Sequence, residues 1–522
     1  MIYKSILFGA AGLFMIALQP EKLIGSELFR KYDLTFAGQL SGYHIEDLNN
    51  DALKDIILLL KSDESNQAEE RRLAIYFQNE NGFTALPSQT FTLSEDVILF
   101  DIGDVWGDLK KEVVFFTSGT ISYYVLNDSG FTLSPIKLHE TQSLFMLADK
   151  NTLVNWNFVT DLNGDYADDI FVPKITTCDV LVRQKPGGWL KNELPLITET
   201  HLRGVYDNNF SIGRKMTATY ATPFLLNEDF NGDGRMDLIG ISKDGLSVFL
   251  QDEEGMFQKA GLFKTGLSCE EIWPGQKIHR TRWGDKSERS FLKRLTDFNN
   301  DGVLDALCIN ISTQKTVMNP KTHLQIHFGK RDETDSGFFI SFDEKPDQII
   351  NPGGTLLVIN VLDLNHDNRL DLVVPTVKVG FKNILSMLLT KSVTLKAETY
   401  LMDELGRYPE KPNSKTQMTV KFSFRGGANS PVYEIEDFNG DGHWDILSSL
   451  EEKRLVLFFG NGRGGFGQNI NAKHNVLLPQ NGEMVSAIRL NDDNKCDVII
   501  RYDEDNAKHK ELKNTLRILL AK

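Results

Sequence analysis

The chain has 522 residues, 41% of them hydrophobic and 25% charged, which is the balance of an ordinary folded protein rather than a disordered or fibrous one. Its formal net charge of −15 argues against a nucleic-acid partner, because phosphates select basic surfaces. Cys178, Cys269, Cys308 and Cys496 show no paired spacing, so neither a disulfide framework nor thiol chemistry is expected.

The N-terminus has the pattern of a secretory signal: Lys4, an apolar run over 5–18 and a polar stretch over 19–22. The run is too short for a comfortable membrane span, so no transmembrane domain is expected. Without a nearby Cys there is no lipoprotein anchor either. With cleavage placed after Gly25, the division is a signal over 1–25 and a single domain over 26–522. The expected address is secreted or in the cell envelope, at the periplasm or the cell surface.

The first acidic loop follows at Asp47, Asn49, Asp51 and Asp55, with the pattern Asp-x-Asn-x-Asp-x-x-x-Asp. A degenerate copy comes next at Asp104, Asp108 and Glu112, with Trp106 at the third position. Intact copies then recur at Asp161, Asn163, Asp165, Asp169; at Asp229, Asn231, Asp233, Asp237; at Asp297, Asn299, Asp301, Asp305; at Asp363, Asn365, Asp367, Asp371; and at Asp437, Asn439, Asp441, Asp445. A last copy keeps Asn491, Asp493 and Asp497 but starts with Arg489, whose guanidinium is expected to reach Asp493 and Asp497 in place of a cation. Eight copies at domain-scale spacing mark a repeat architecture.

Positions 1, 3, 5 and 9 of each loop offer four oxygen-bearing side chains, and the carbonyl of position 7 can join them. That donor set suits calcium, which takes six to eight oxygens. Gly234, Gly302, Gly442 and Asn368 supply a left-handed residue at position 6, where Ala52 and Tyr166 are expected to be strained. About six calcium sites follow, structural in role, and six ions would bring the charge to about −3. Weak sites of this kind fill where calcium is millimolar, which agrees with export. Helix–loop–helix calcium sites need Glu at position 12; Gly240, Cys308, Val374 and Ser448 stand there instead.

After the last Asp of each loop comes a short apolar run such as DIILLL from Asp55 or DLVVP from Asp371, which predicts a buried strand. An alternating strand follows, then a Gly-aromatic pair (Gly82-Phe83, Gly130-Phe131, Gly188-Trp189, Gly337-Phe338, Gly465-Phe466) and a returning strand. Each repeat is thus four strands, with the acidic loop joining the first to the second. The DFNGDGxxD loop, the apolar strand and FFGNGRGGF at 458–466 resemble the FG-GAP/VCBS repeats of integrin-α-type β-propellers. The resemblance implies an all-β, eight-bladed propeller of four-stranded blades. The last repeat lacks a fourth strand, and the stretch 26–36 reads as an orphan one, so the N-terminal strand is expected to close the ring against 515–521.

Longer segments at 190–223, 258–293, 310–322 and 409–432 are placed on the face opposite the acidic loops. Within 269–294, Trp273, Arg280, Arg282 and Trp283 interleave basic and aromatic groups, which suits a carboxylated or sulfated sugar. The plainer assignment for that segment is a solvated connector. No catalytic constellation is visible, and His323 and His327 merely share a strand face. The resemblance implies a monomeric binding or adhesion scaffold for protein or carbohydrate. The competing expectation is a polysaccharide lyase, since some lyases are similar in plan.

Overall fold

A computed structural model describes residues 28–62, 70–149, 153–184, 187–206, 208–209, 215–242, 245–263, 267, 271–272, 288–312, 321–334, 337–378, 389–390, 392–421, 430–502 and 510–522. The expected signal over 1–25 lies outside them, as do Trp273, Arg280, Arg282 and Trp283.

The architecture is all-β, with eight four-stranded blades in a ring. Blade one shows the plan: Gln39–Glu46, Asp55–Lys61, Arg71–Tyr76 and Gln89–Thr92 pair antiparallel in sequence order. The second strand of every blade begins at position 9 of its acidic loop, as in Asp169–Pro173, Asp305–Ser312 and Asp445–Glu451. Those strands are mostly apolar because both of their faces are buried, with Asn310, Ser448 and Ser449 as buried polar exceptions. In blade one, Ile56, Leu58 and Leu60 pack toward blade eight, whereas Ile57 and Leu59 pack toward blade two. Eight hydrophobic clusters result, each drawn from two successive blades, and the cluster joining blade eight to blade one completes the circle.

Closure follows the expected route. Phe29–Thr35 pairs antiparallel with Thr515–Ala521 over seven residues and forms the outer strand of blade eight. Asp33 stands directly across from Arg517. The guanidinium donates to both carboxylate oxygens of Asp33, at 2.7 and 3.0 Å, and to the Tyr502 hydroxyl at 2.9 Å. A two-pronged ion pair therefore sits on the seam between the first and last strands.

The connecting segments differ in part from expectation. The segment 409–432 contains a true blade strand, Ser414–Lys421, which is the outer strand of blade six. Its alternation of buried Thr416, Met418 and Val420 is a period-two signal. The segment 258–293 begins inside Phe257–Phe263 and ends inside Glu288–Thr296, the outer strand of blade four and the inner strand of blade five. In 190–223, Glu199–Val205 and Lys215–Ala221 form a separate hairpin. Among the described residues no helix is long and apolar enough to cross a membrane.

Asp33→Ala leaves the buried Arg517 without its carboxylate, an expected loss of about 2–3 kcal/mol once the partial exposure of Asp33 is discounted. Burial alone would raise the Asp33 carboxyl, but the hydrogen bond and charge of Arg517, joined by those of Lys31, more than reverse this and hold it below the ordinary value. The pair's contribution is therefore full above the ordinary carboxylate pKa and is lost as pH falls through the lowered one. Denaturant titrations should show wild type and variant converging in acid; a constant gap across pH would contradict the assignment.

Candidate functional site

The eight acidic loops lie between the first and second strands of their blades, on one face of the ring. Their backbone is unusual. Position 6 has a left-handed φ in all eight loops, from 62° at Asn494 to 85° at Gly234. Ala52 and Tyr166 adopt it as expected, at 67° and 64°, and so does Leu109 at 70°. A side chain in this region costs roughly 1–2 kcal/mol, which Gly avoids. Position 4 is left-handed too in seven loops, at Asn50, Gly107, Gly164, Gly232, Asn300, His366 and Gly440. The prevalence of Gly and Asn there was the available sign. Every non-glycine left-handed residue among those described belongs to one of these loops.

Two such residues curl each loop so that its side-chain oxygens meet its own amides. In the loop at Asp229, the Asp229 carboxylate accepts from the N–H of Gly232, Asp233 and Gly234 at 2.7–3.1 Å. The Asn231 side-chain oxygen accepts from Asp233 N–H at 3.1 Å, and Asp233 accepts from Arg235 N–H at 2.9 Å. Equivalent bonds recur around Asp47, Asp161, Asp297, Asp363 and Asp437.

Position 9 behaves differently. It is fully buried, and in seven of the loops its two oxygens serve two separate amides: one at position 2 of the loop, the other at or just beyond the end of the third strand. Asp55 accepts from Leu48 and Gln78, Asp305 from Phe298 and Gly329, and Asp445 from Phe438 and Gly460, all at 2.8–3.1 Å. Asp169, Asp237 and Asp371 repeat the arrangement. So does Asp497 in the degenerate last loop, with Leu490 and Ala521. Burial raises these carboxyls, to about 7 at Asp55, Asp169, Asp305 and Asp445, while the amide bonds pull back and neighbouring acids at position 5 add to the rise. A cation in the loop would act in the opposite sense.

The residues fit a hard cation in kind. Positions 1, 3 and 5 present only oxygen donors around one turn, and each oxygen of the position-9 carboxylate keeps a second lone pair beyond its amide. Among the described residues, no three His, Cys, Asp or Glu side chains are gathered into a metal-binding cluster. With position 9 aimed at the blade, two Asp and one Asn face each turn.

Basic residues distinguish the loops. Arg235 and Arg369, at position 7, pair with Asp233 and Asp367 at 2.5 and 2.7 Å. The loops at Asp47, Asp297 and Asp437 have no such internal pair among the described contacts. In the degenerate second loop, Arg183 of blade three lies 3.6 Å from the Asp104 carboxylate and donates to its carbonyl at 2.7 Å. Glu112 there accepts from Val105 and Trp106 at 3.0 and 3.1 Å. Arg489 does not take the expected part: among the described residues it forms no ion pair with Asp493 or Asp497, and its charge acts instead on Glu436 of blade seven.

The loops also bind one another. Lys54 N–H donates to Leu490 O at 2.9 Å, Lys111 N–H to Leu48 O at 2.8 Å and Leu370 N–H to Phe298 O at 2.8 Å, each linking a loop to that of the preceding blade. Trp444 continues the belt through its indole N–H to Asp363 O at 2.8 Å. The remaining residues flagged by the sequence are structural. Cys178, Cys308 and Cys496 are buried, with Cys269 outside the described residues. His323 bonds Asn351 and His327 bonds Asp343 O, so the two do not form a site.

No family model matches the chain, and no curated protein matches it. Among solved structures it is similar to the biofilm matrix protein Bap1 of V. cholerae, at 10% identity over 94% of this chain and 88% of that one, with a TM-score of 0.27. It is also similar to the WD40 domain of SCAP from fission yeast, at 9% identity over 83% and 96%, with a TM-score of 0.31. The assignment of eight blades rests on the chain's own sheet pairing.

The position-9 carboxylate should matter with or without metal. Asn there offers one acceptor and turns an N–H₂ toward an amide, so Asp497→Asn and Asp445→Asn should each cost about 1–3 kcal/mol by leaving a buried N–H unpaired. The measurement is denaturant unfolding in excess chelator. No loss at either position under these metal-free conditions would mean that the carboxylate matters only as a metal ligand.

Proposed function

We propose that the chain is an exported, calcium-stabilised β-propeller of the FG-GAP/VCBS type, acting as a binding or adhesion scaffold for protein or carbohydrate at the cell surface or in the envelope. The observation that carries this reading is the oxygen-only donor set of six loops, repeated around one face on a left-handed backbone that holds the donors together. A catalytic role draws no support from the described residues. The loops' acidity is ligand charge: each intact loop carries three Asp, and a divalent ion relieves their mutual repulsion.

Bound calcium stabilises the folded ring by mass action, because the donors converge only in the folded chain. Excess chelator should therefore lower the melting temperature by many degrees, and millimolar calcium should restore it. The loops at Asp297 and Asp437 should fill first, since each has Gly at position 6, all donors present and no arginine on its position-5 carboxylate. The loop at Asp229 should follow, because Arg235 competes there. A melt insensitive to chelator would remove the calcium assignment, and filling of the Asp229 loop ahead of the other two would remove the proposed ordering.

A further inference from the structure

Three large apolar residues break the loop pattern at positions 3 and 6, and all three fall in neighbouring loops. Position 3 is Asn in seven loops and Trp106 in the eighth. Position 6 is Gly, Asn or Ala in six loops, but Leu109 and Tyr166 in the other two. Trp106 and Leu109 belong to blade two and Tyr166 to blade three. Each side chain faces solvent, at 58%, 62% and 94% exposure respectively. The two loops are joined where Asp104 N–H donates to the Asp168 carboxylate at 2.7 Å, a bond lying two residues from both Trp106 and Tyr166. Lys111 braces the junction, 2.9 Å from the same carboxylate.

Packing does not explain these residues, since none is buried and six other loops form without a large side chain at position 6. Local backbone energy opposes two of them, because Leu109 and Tyr166 occupy left-handed positions. Large apolar groups held exposed on a strained backbone point to contact with something outside the chain. Trp106 is also placed: its ring lies 6.3 Å from that of the buried Tyr123, at 41°.

We infer that the loop face of blades two and three is an aromatic platform for an uncharged saccharide, with Trp106 and Tyr166 stacking on pyranose rings and Asp108 accepting from ring hydroxyls. Indole and phenol faces suit the C–H faces of a sugar, and their polar edges suit its hydroxyls. Asp108 is exposed, and its one described hydrogen bond is from Lys110 N–H to Oδ1 at 3.1 Å. The exposed Asp108 carboxylate disfavours a uronate or sulfate by like-charge repulsion. Turns offer no strand edge to which a peptide strand adds. The inference rests on the binding-scaffold reading and narrows it to one surface and one ligand class.

The test uses an array of neutral oligosaccharides (glucans, mannans and galactans) alongside uronate and sulfated ones, read with wild type, Trp106→Ala and Tyr166→Asn in millimolar calcium. Wild type should bind at least one neutral series, and each variant should weaken that binding by about tenfold or more. Tyr166→Asn should leave the melting temperature unchanged or raised, because Asn tolerates the left-handed backbone. That combination, weaker binding with no loss of stability, separates recognition from folding. Protection of exposed tryptophan from acrylamide quenching by saturating saccharide, absent in Trp106→Ala, gives an independent readout. Wild-type binding that neither variant alters overturns the platform and leaves the scaffold reading intact. Salt-sensitive binding to acidic glycans alone overturns the ligand class. Absence of any glycan binding, with Trp106→Ala abolishing adhesion to immobilised protein, would reassign the patch as a protein-docking surface.

Discussion

The interaction on which the ring depends is a buried carboxylate that accepts hydrogen bonds from two amides far apart in sequence. At position 9 of a loop, one oxygen fixes the loop's entry and the other fixes the end of the third strand. A single side chain thereby ties the inner, second and third strands at the loop end of the blade. An unpaired buried amide costs roughly 1–3 kcal/mol, so each such acid secures two groups that nothing else nearby satisfies. The last loop makes the case most clearly: it has lost Asp at position 1 but keeps Asp497 with both amides. Glu112 in the second loop reaches two loop amides but not the third strand, leaving one buried oxygen without a partner among the described groups. Nearby, Val125 N–H beyond the third strand is served instead by the Thr132 hydroxyl at 3.1 Å.

From that staple the larger geometry follows. With the loop end of each sheet held, its second strand is free to bury both faces, and the eight inter-blade clusters form one continuous circle. Loop-to-loop hydrogen bonds couple neighbours on the acidic face, and the Asp33–Arg517 pair joins the two chain ends on the seam. Metal enters as a further layer on this framework. Positions 1, 3 and 5 are built around an oxygen-lined turn, whereas position 9 already has structural work to do.

Much of this was legible in the residues. Eight loops at domain-scale spacing announced eight blades, and the orphan strand before Asp47 announced the closure. Position 6 was readable from Gly234, Gly302 and Gly442. Position 4 was readable as well, from Asn50, Gly164 and Gly440, but a motif framed around metal ligands hides residues that serve only the backbone. The role of position 9 was masked for the same reason; its survival as Glu112 and Asp497 in both degenerate loops was the clue. The strand Ser414–Lys421 was missed because repeat six lacks the Gly-aromatic pair that flags the outer strand elsewhere. Arg489 was misplaced because its sequence proximity to Asp493 and Asp497 does not reveal Glu436, which the fold brings near it from blade seven.

Native-state hydrogen exchange, resolved amide by amide with and without excess chelator, tests the account most directly. If the buried acid is the primary staple and calcium a secondary layer, the amides of Leu48, Gln78, Phe438, Gly460, Leu490 and Ala521 stay protected in chelator. Calcium should then add protection chiefly at positions 4 to 6 of the six intact loops, where amides now face the position-1 carboxylate. Loss of protection at Leu48, Gln78, Phe438 and Gly460 on chelation, with Leu490 and Ala521 unaffected, would contradict it. That pattern would make the metal, not the carboxylate, the group on which the blades depend.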